Sequence, residues 1–310
     1  MRISRGIRVA AWTIVAAGIA APAVRRRVKL PPAAVLGAAA AAPVALSVAL
    51  PRSRVRDVAV VGLNMWAYVA AYELPNADPG RLEARVHVRY PIVVDRLLGL
   101  GVPPTLRFQR RSTPGEINRF ERVLVWCHWL WFFVPHSSVA YVLARAPERF
   151  PASAARMYAV FDTGAVFYWA IPTAPPWWAD AHGDFGPGQE LHVRRMMIEY
   201  GEQFWRDRWG ALYDVLGGNP LAAMPSLHFA TSLMGAHLLS EVGPVAGALG
   251  WTYASLLGLA LVYLGEHYAV DLLAGAALTE TIRKVAPRLA PAARAVTSVI
   301  QSLEARASAG

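Results

Sequence analysis

Two short stretches of this 310-residue chain carry the side-chain types and spacings that a reaction would need. Met224-Pro225-Ser226-Leu227-His228 stands directly before one apolar segment, and Glu266-His267-Tyr268-Ala269-Val270-Asp271 directly before another. His267 and Asp271 are four residues apart, a spacing that stacks both side chains on one face of a helix. A carboxylate placed there accepts a hydrogen bond from one imidazole nitrogen, fixes the tautomer and leaves the other nitrogen oriented as a nucleophile or base. Helix amino termini also attract anions through unpaired N–H groups and the macrodipole, so a phosphate between two such ends is physically reasonable. Two alternatives stand beside this reading: histidines that are merely packed or hydrogen-bonded, and a two-histidine, one-carboxylate metal site for which Glu266 is the obvious further ligand.

The elements that must position these residues are strongly apolar. The chain is 55% hydrophobic and 17% charged, with a mean hydropathy of +0.31, which exceeds the apolar content of an ordinary soluble domain. A spanning helix needs roughly 20 mostly apolar residues, and up to eight segments qualify: 7–24, 33–50, 58–74, 123–144, 157–174, 228–242, 245–265 and 268–285. The sixth crosses, Gly243-Pro244 reverses the chain and the seventh crosses back, so His228 and His267 are expected on the same membrane face. The net charge of +10 lies between apolar runs, a distribution suited to cytoplasmic loops and anionic headgroups rather than to nucleic acid. A single cysteine, Cys127, excludes an intrachain disulfide and a cysteine-based metal cluster.

Arg2, Arg5 and Arg8 precede the first segment, and Arg25, Arg26 and Arg27 follow it, which favours a signal anchor over a cleaved signal peptide. Two long polar connections, 75–122 and 175–227, are expected on the membrane surface. The first holds Val93, Val94, Leu97 and Leu98 among Asp95, Arg96 and other charges, as an interfacial helix would. The second is dense in Trp177, Trp178, Trp205 and Trp209, as at headgroup depth. The basic residues of the amino terminus, 52–56, 145–156 and the tail place those parts in the cytoplasm and the two long connections outside; the basic turn at 25–29 opposes this.

At the two histidine motifs the sequence resembles the type-2 phosphatidic acid phosphatase superfamily of lipid phosphatases and phosphotransferases. The form Pro225-Ser226-Leu227-His228, the block Pro172-Thr173-Ala174-Pro175-Pro176-Trp177-Trp178 and the His-Tyr-x-x-Asp ending are closer to the inositol phosphorylceramide synthase branch. The likeness is good over 157–275, loose over 75–122 and nearly absent at the amino terminus. It implies an all-α polytopic membrane bundle with a six-helix phosphatidic acid phosphatase-like core. Membrane segments over 1–56, a catalytic membrane domain over 57–286 and a cytoplasmic tail over 287–310 are the expected divisions.

The resemblance assigns roles residue by residue. His267 attacks phosphorus to give a phosphohistidine, Asp271 orients its ring, and His228 protonates the leaving oxygen and later deprotonates the incoming hydroxyl. Ser226, Arg194, Arg195 and Tyr268 are candidates for holding the phosphate or substrate. The implied chemistry requires no metal or organic cofactor. The chain departs from the phosphatase members where they carry cations: those places hold Phe167, Ala174 and Leu261. A phosphate monoester carries nearly two negative charges and a diester one, so the loss favours a diester substrate. Arg194, Arg195, Arg206 or Arg208 could restore the charge.

The expected activity is therefore that of an inositolphosphotransferase-like membrane enzyme, moving a phosphoryl headgroup from a phosphodiester lipid to a hydroxyl acceptor. The alternatives are a lipid phosphatase acting on phosphatidate or polyprenyl phosphates and, from another class, a non-catalytic lipid-binding membrane protein. The partners implied are a phospholipid or polyprenyl phosphate and the bilayer, with no nucleic acid. The expected location is a bacterial cell membrane with the site on its extracytoplasmic face. Trp126, Trp129 and Trp131 beside His128 resemble a cation cage, although packing is the commoner role of such a stripe. Asn219 and Ser226 are placed to position phosphate or to cap the following helix.

Overall fold

The computed structural model describes residues 2–110, 112–186, 192–216 and 218–308. Residues 187–191 of the second long connection and the side chains of Arg2 and Arg26 therefore lie outside the described residues. The chain is an all-α multi-pass membrane bundle. Its helices are α1 (Arg2–Val28), α2 (Pro32–Ala49), α3 (Arg54–Glu73), α4 (Pro79–Glu83), α5 (Arg89–Leu98), α6 (Pro104–Gln109), α7 (Arg119–Leu130), α8 (Val134–Arg145), α9 (Phe150–Ala170), α10 (Pro176–Ala181), α11 (Met196–Trp205), α12 (Trp209–Leu216), α13 (Leu227–Val242), α14 (Pro244–Tyr263) and α15 (Ala269–Ser308). Residues 5–25 of α1, α2 and α14 are long and apolar enough to cross a membrane, and α7 with α8 adds a fourth crossing if the bent pair is one span.

The eight apolar segments all fall on helices, with two departures from the sequence expectation. Segment 123–144 is two helices bent by 58° rather than one. Pro135 sits in the first turn of α8, where its missing N–H is tolerated but where it cannot continue α7. Segment 157–174 stops being helical at Ala170, because Pro172 disfavours helical backbone in the residue before it. Residues 172–174 are instead extended. Thr173 N–H donates to Leu221 O at 2.9 Å and Ala174 N–H to His87 O at 3.1 Å, which pins this strip between the two polar connections.

Contacts divide the chain into two units, Met1–Leu74 with Arg283–Gly310, and Pro75–Ile282. In the first, α1 and α2 pack through small residues, as helices in lipid must when apolar burial gives no net drive. A Cβ on Gly18 would lie 2.6 Å from the Ala42 Cβ. Arg25 pairs with Glu73 at 3.0 Å, and Glu304 on α15 pairs with Arg56 at 3.0 Å.

The second unit is built on the α13–α14 hairpin. Glycines again set the approach, since a Cβ on Gly250 would lie 2.8 Å from the Ala236 Cα. The α8 and α9 helices pack on α13, and α6 and α7 on α14. Leu257 and Leu261 of α14 are fully buried with Cys127 of α7. Trp209 is not a headgroup anchor: it is 6% exposed and lies against Gly201, where a Cβ would meet its ring at 2.3 Å. The α5 helix does turn an apolar face outward, with Val93 53%, Leu97 73% and Leu98 47% exposed.

Candidate active site

The site forms where the starts of α13 and α15 meet. Ser226 caps α13, its hydroxyl oxygen accepting from Phe229 N–H at 3.3 Å, which satisfies one of the orphan donors of a first helical turn. The backbone just before it is fixed by the Tyr168 hydroxyl, which donates to Pro225 O at 2.9 Å. Ser226 N–H donates to Asp271 O at 3.0 Å, and Thr279 Oγ1 of α15 donates to Ala230 O at 2.8 Å. These two bonds set α15 against α13. The approach needs Gly275, because a Cβ there would lie 2.6 Å from Ser226 O.

The other motif follows the end of α14. Gly265 takes φ +77°, the left-handed conformation that glycine adopts without a Cβ penalty. Glu266 and His267 N–H then both return to Leu261 O at 3.1 Å, closing the helix end. A Cβ at Gly265 would also strike Val193 Cγ1 at 2.4 Å. The turn delivers His267 to the start of α15.

The expected residues meet. His228 Nδ1 lies 3.1 Å from His267 Nε2, and His267 Nδ1 lies 3.3 Å from Asp271 Oδ2. The same Asp271 oxygen accepts from Tyr268 N–H at 2.9 Å. His267 is 4% exposed and Asp271 fully buried. Because Asp271 and His228 occupy opposite nitrogens of one ring, the three groups do not converge on a single ion in this arrangement. Among the described residues, no group of three or more His, Cys, Asp or Glu side chains is arranged to hold a metal.

The remaining candidates divide. Ser226 is fully buried as the α13 cap. Tyr268 is fully buried in the cluster with Ile92, Leu106, Ala179, Phe185 and Val193, its hydroxyl without a hydrogen-bond partner among the described residues. The Arg194 guanidinium bonds Glu199 through Nε at 2.7 Å and Glu116 O through Nη2 at 2.8 Å, and its Nη1 is buried without a hydrogen-bond partner among the described residues. Arg195 lies with its Cζ 3.8 Å from the Trp177 ring centroid and donates to the Tyr213 hydroxyl at 2.9 Å. Its Nε is buried without a hydrogen-bond partner among the described residues. Trp177 N–H in turn donates to Gly265 O at 3.3 Å, which ties Arg195 to the turn that carries His267. Burial pushes the neighbouring Glu266 carboxyl above the ordinary carboxylate range, opposed by Arg195 and His267. Arg206 and Arg208 lie with Phe204 and Trp205 around a separate concavity.

Three contributors were not singled out from sequence as parts of the site. His128 and Trp131, one turn apart on α7 and its cap, flank the His228 ring with centroids 4.8 Å and 4.1 Å away. Trp131 is itself fixed by Nε1–H donation to Thr231 Oγ1 at 2.9 Å. Trp126 and Trp129 instead join Phe204 in an aromatic group, so the four do not form one cage. The Asp95 carboxylate reaches the first turn of α15. For His128 and Trp131 the usable signal was their i, i+3 spacing; for Asp95 there was none in the local pattern.

Over residues 92–282 the chain matches the family profile described as the PAP2 superfamily. It is 30% identical over 165 residues to the inositol phosphorylceramide synthase of Candida albicans (strain SC5314 / ATCC MYA-2876), covering 50% of this chain and 34% of that protein. The chain thus spans about a third of that relative's length. No solved structure matches it. The match spans both histidine motifs and the helices that bring them together, and on that ground the chain belongs to the PAP2 superfamily.

Proposed function

We propose that the protein is a membrane lipid phosphotransferase that works through a phosphohistidine on His267 and passes a phosphoryl headgroup from a phosphodiester lipid to a hydroxyl acceptor. The observation that carries this reading is the hydrogen-bonded series His228–His267–Asp271 at two abutting helix starts. Asp271 accepts the Nδ1 proton, so the Nε2 lone pair is the free nucleophile. The substrate phosphoryl group takes the place of the His228–His267 bond. His267 Nε2 then forms a bond to phosphorus as the lipid alcohol departs, and His228, protonated on both ring nitrogens when the anionic phosphoryl group is bound, gives that oxygen one proton and is left neutral. In the second half His228 removes the proton of the incoming hydroxyl, whose oxygen bonds phosphorus as the P–N bond breaks. Both histidines return to their starting states.

Arg195 is the cation we assign to the phosphate, held against Trp177, whose N–H bonds the turn that carries the nucleophile, while Arg194 holds the connection through Glu199. A single such cation suits a diester's single charge. The relative's name, inositol phosphorylceramide synthase, favours a phosphoinositol headgroup as donor. The two long connections, and with them the site, are assigned to the extracytoplasmic face.

The test is turnover of the purified protein in lipid nanodiscs, read by mass spectrometry, with His267→Ala and added chelator in parallel. Phosphatidylinositol and other diester lipids are offered with hydroxyl acceptors, beside phosphatidate and polyprenyl phosphates. The expected result is a new phosphorylated acceptor, insensitive to chelator and reduced by at least about 1,000-fold in His267→Ala. Free phosphate from monoesters alone would make the protein a phosphatase. Full turnover by His267→Ala would refute the phosphohistidine.

A further inference from the structure

We propose that Asp95, on the surface connection between α3 and α7, is a positioning residue for the nucleophile: it caps the helix whose first turn holds the His267–Asp271 pair. The inference rests on the reading of His267 as the nucleophile. Asp95 Oδ2 accepts from Ala269 N–H and Oδ1 from Val270 N–H, each at 2.9 Å. Those are the first two residues of α15, whose N–H groups have no partner within the helix. Asp271 Oδ2 takes the preceding N–H, that of Tyr268. Three successive donors are thus divided between two carboxylates, and one of these also bonds the His267 ring.

The orientation of α5 is inverted relative to its composition. Val93, Leu97 and Leu98 face outward, while Asp95 is fully buried. A buried carboxylate is costly unless it is hydrogen-bonded, and the two α15 amides are what it bonds. Burial pushes its carboxyl up to about 6, with the like charge of Asp271 adding to the rise and the two amides opposing it. The α5 helix is itself anchored by Arg96 Nη2, which donates to Phe185 O at 2.5 Å.

The same connection grips the other side of the nucleophile. Gln109, 6% exposed at the end of α6, donates through Nε2 to Tyr263 O at 2.7 Å, on the last turn of α14. Its Oε1 accepts from Arg194 N–H at 2.7 Å. Asp95 and Gln109 therefore fix the two helix ends that flank Gly265, Glu266 and His267. Loss of the Asp95 cap frees the first turn of α15 to shift against α14, which opens the 3.3 Å His267–Asp271 contact. Asp95 touches neither ring and acts through Asp271.

The experiment compares Asp95→Ala, Asp95→Asn and Asp95→Glu with wild type and His267→Ala, all full-length in nanodiscs, by steady-state turnover and by hydrogen exchange of the peptide covering 266–272. Asp95→Ala is expected to lower kcat by about 10-fold to 100-fold with KM nearly unchanged, as for a misplacement of about 1 Å. Exchange at Ala269 and Val270 should quicken, and Asp95→Asn, which keeps one carbonyl acceptor, should recover part of both. Should Asp95→Ala fail to fold, Asp95→Asn alone decides by the same two readouts. Wild-type kcat with quickened exchange would overturn the positioning role, and unchanged exchange would overturn the cap. Full activity in His267→Ala would remove the nucleophile assignment, and with it the proposal's link to turnover, even if exchange still showed the cap.

Discussion

Replacing Asp271 by asparagine isolates what its charge does, because the side chain keeps its size and an oxygen able to accept from Tyr268 N–H, now at 2.9 Å. The helix start should survive. What changes is the charge 3.3 Å from His267 Nδ1. With its oxygen in the place of Oδ2, the amide accepts from both Tyr268 N–H and His267 Nδ1–H, so the tautomer is kept, while its NH2 falls where Asp271 Oδ1 has no hydrogen-bond partner among the described residues. The positive charge on the phosphorylated ring loses its counter-charge. At 3.3 Å and an effective dielectric near 20, that attraction is about 5 kcal/mol as an upper figure, or about 10³–10⁴-fold in rate. The assay is kcat in nanodiscs beside a thermal melt of the same preparation. A fall of about 10³-fold in kcat with a melt close to wild type is the expected result. Activity within about 10-fold of wild type would refute the claim that the Asp271 charge stabilises the phosphorylated His267 ring.

The paired arginines should separate: Arg195→Ala should raise KM for the phospholipid with little loss of stability, whereas Arg194→Ala, which vacates Glu199, should lower the melting midpoint. Equal effects on KM would count against the division. Gly275→Ala should destabilise by about 1–3 kcal/mol through the clash with Ser226 O, although alanine otherwise favours a helix by about 1 kcal/mol over glycine; a higher melting midpoint would show that α15 does not depend on this approach. The Asp95 carboxyl, pushed up to about 6, favours the neutral form in the folded state. Its contribution to stability is therefore full below about pH 4 and lost as pH rises through about 6, at most about 3 kcal/mol. Melting midpoints should rise between pH 7 and pH 5 in wild type and be flatter in Asp95→Asn; parallel profiles would refute the assignment.

The residues that do the proposed chemistry were legible because their relation is local or follows from one hairpin. Asp271 in the first turn of α15 reaches back four residues to His267, which precedes the helix, and one reversal at Gly243-Pro244 returns His228 and His267 to the same end. Apolar length marked the helices, and the prolines at 135 and 172 mark where two segments depart from single spans. Asp95 could not be found this way. On its own helix it reads as the polar side of an amphipathic turn, and only amides 174 and 175 residues away make its burial tolerable. Arg194 and Arg195 are likewise equal in sequence, adjacent and identical. Their difference is made by Glu199 on one side and by Trp177 and Tyr213 on the other. A motif's close spacing thus brings its own residues together, whereas the partner that keeps a buried charge, or the aromatic pair that holds a cation, is chosen by segments that meet only when the chain has packed.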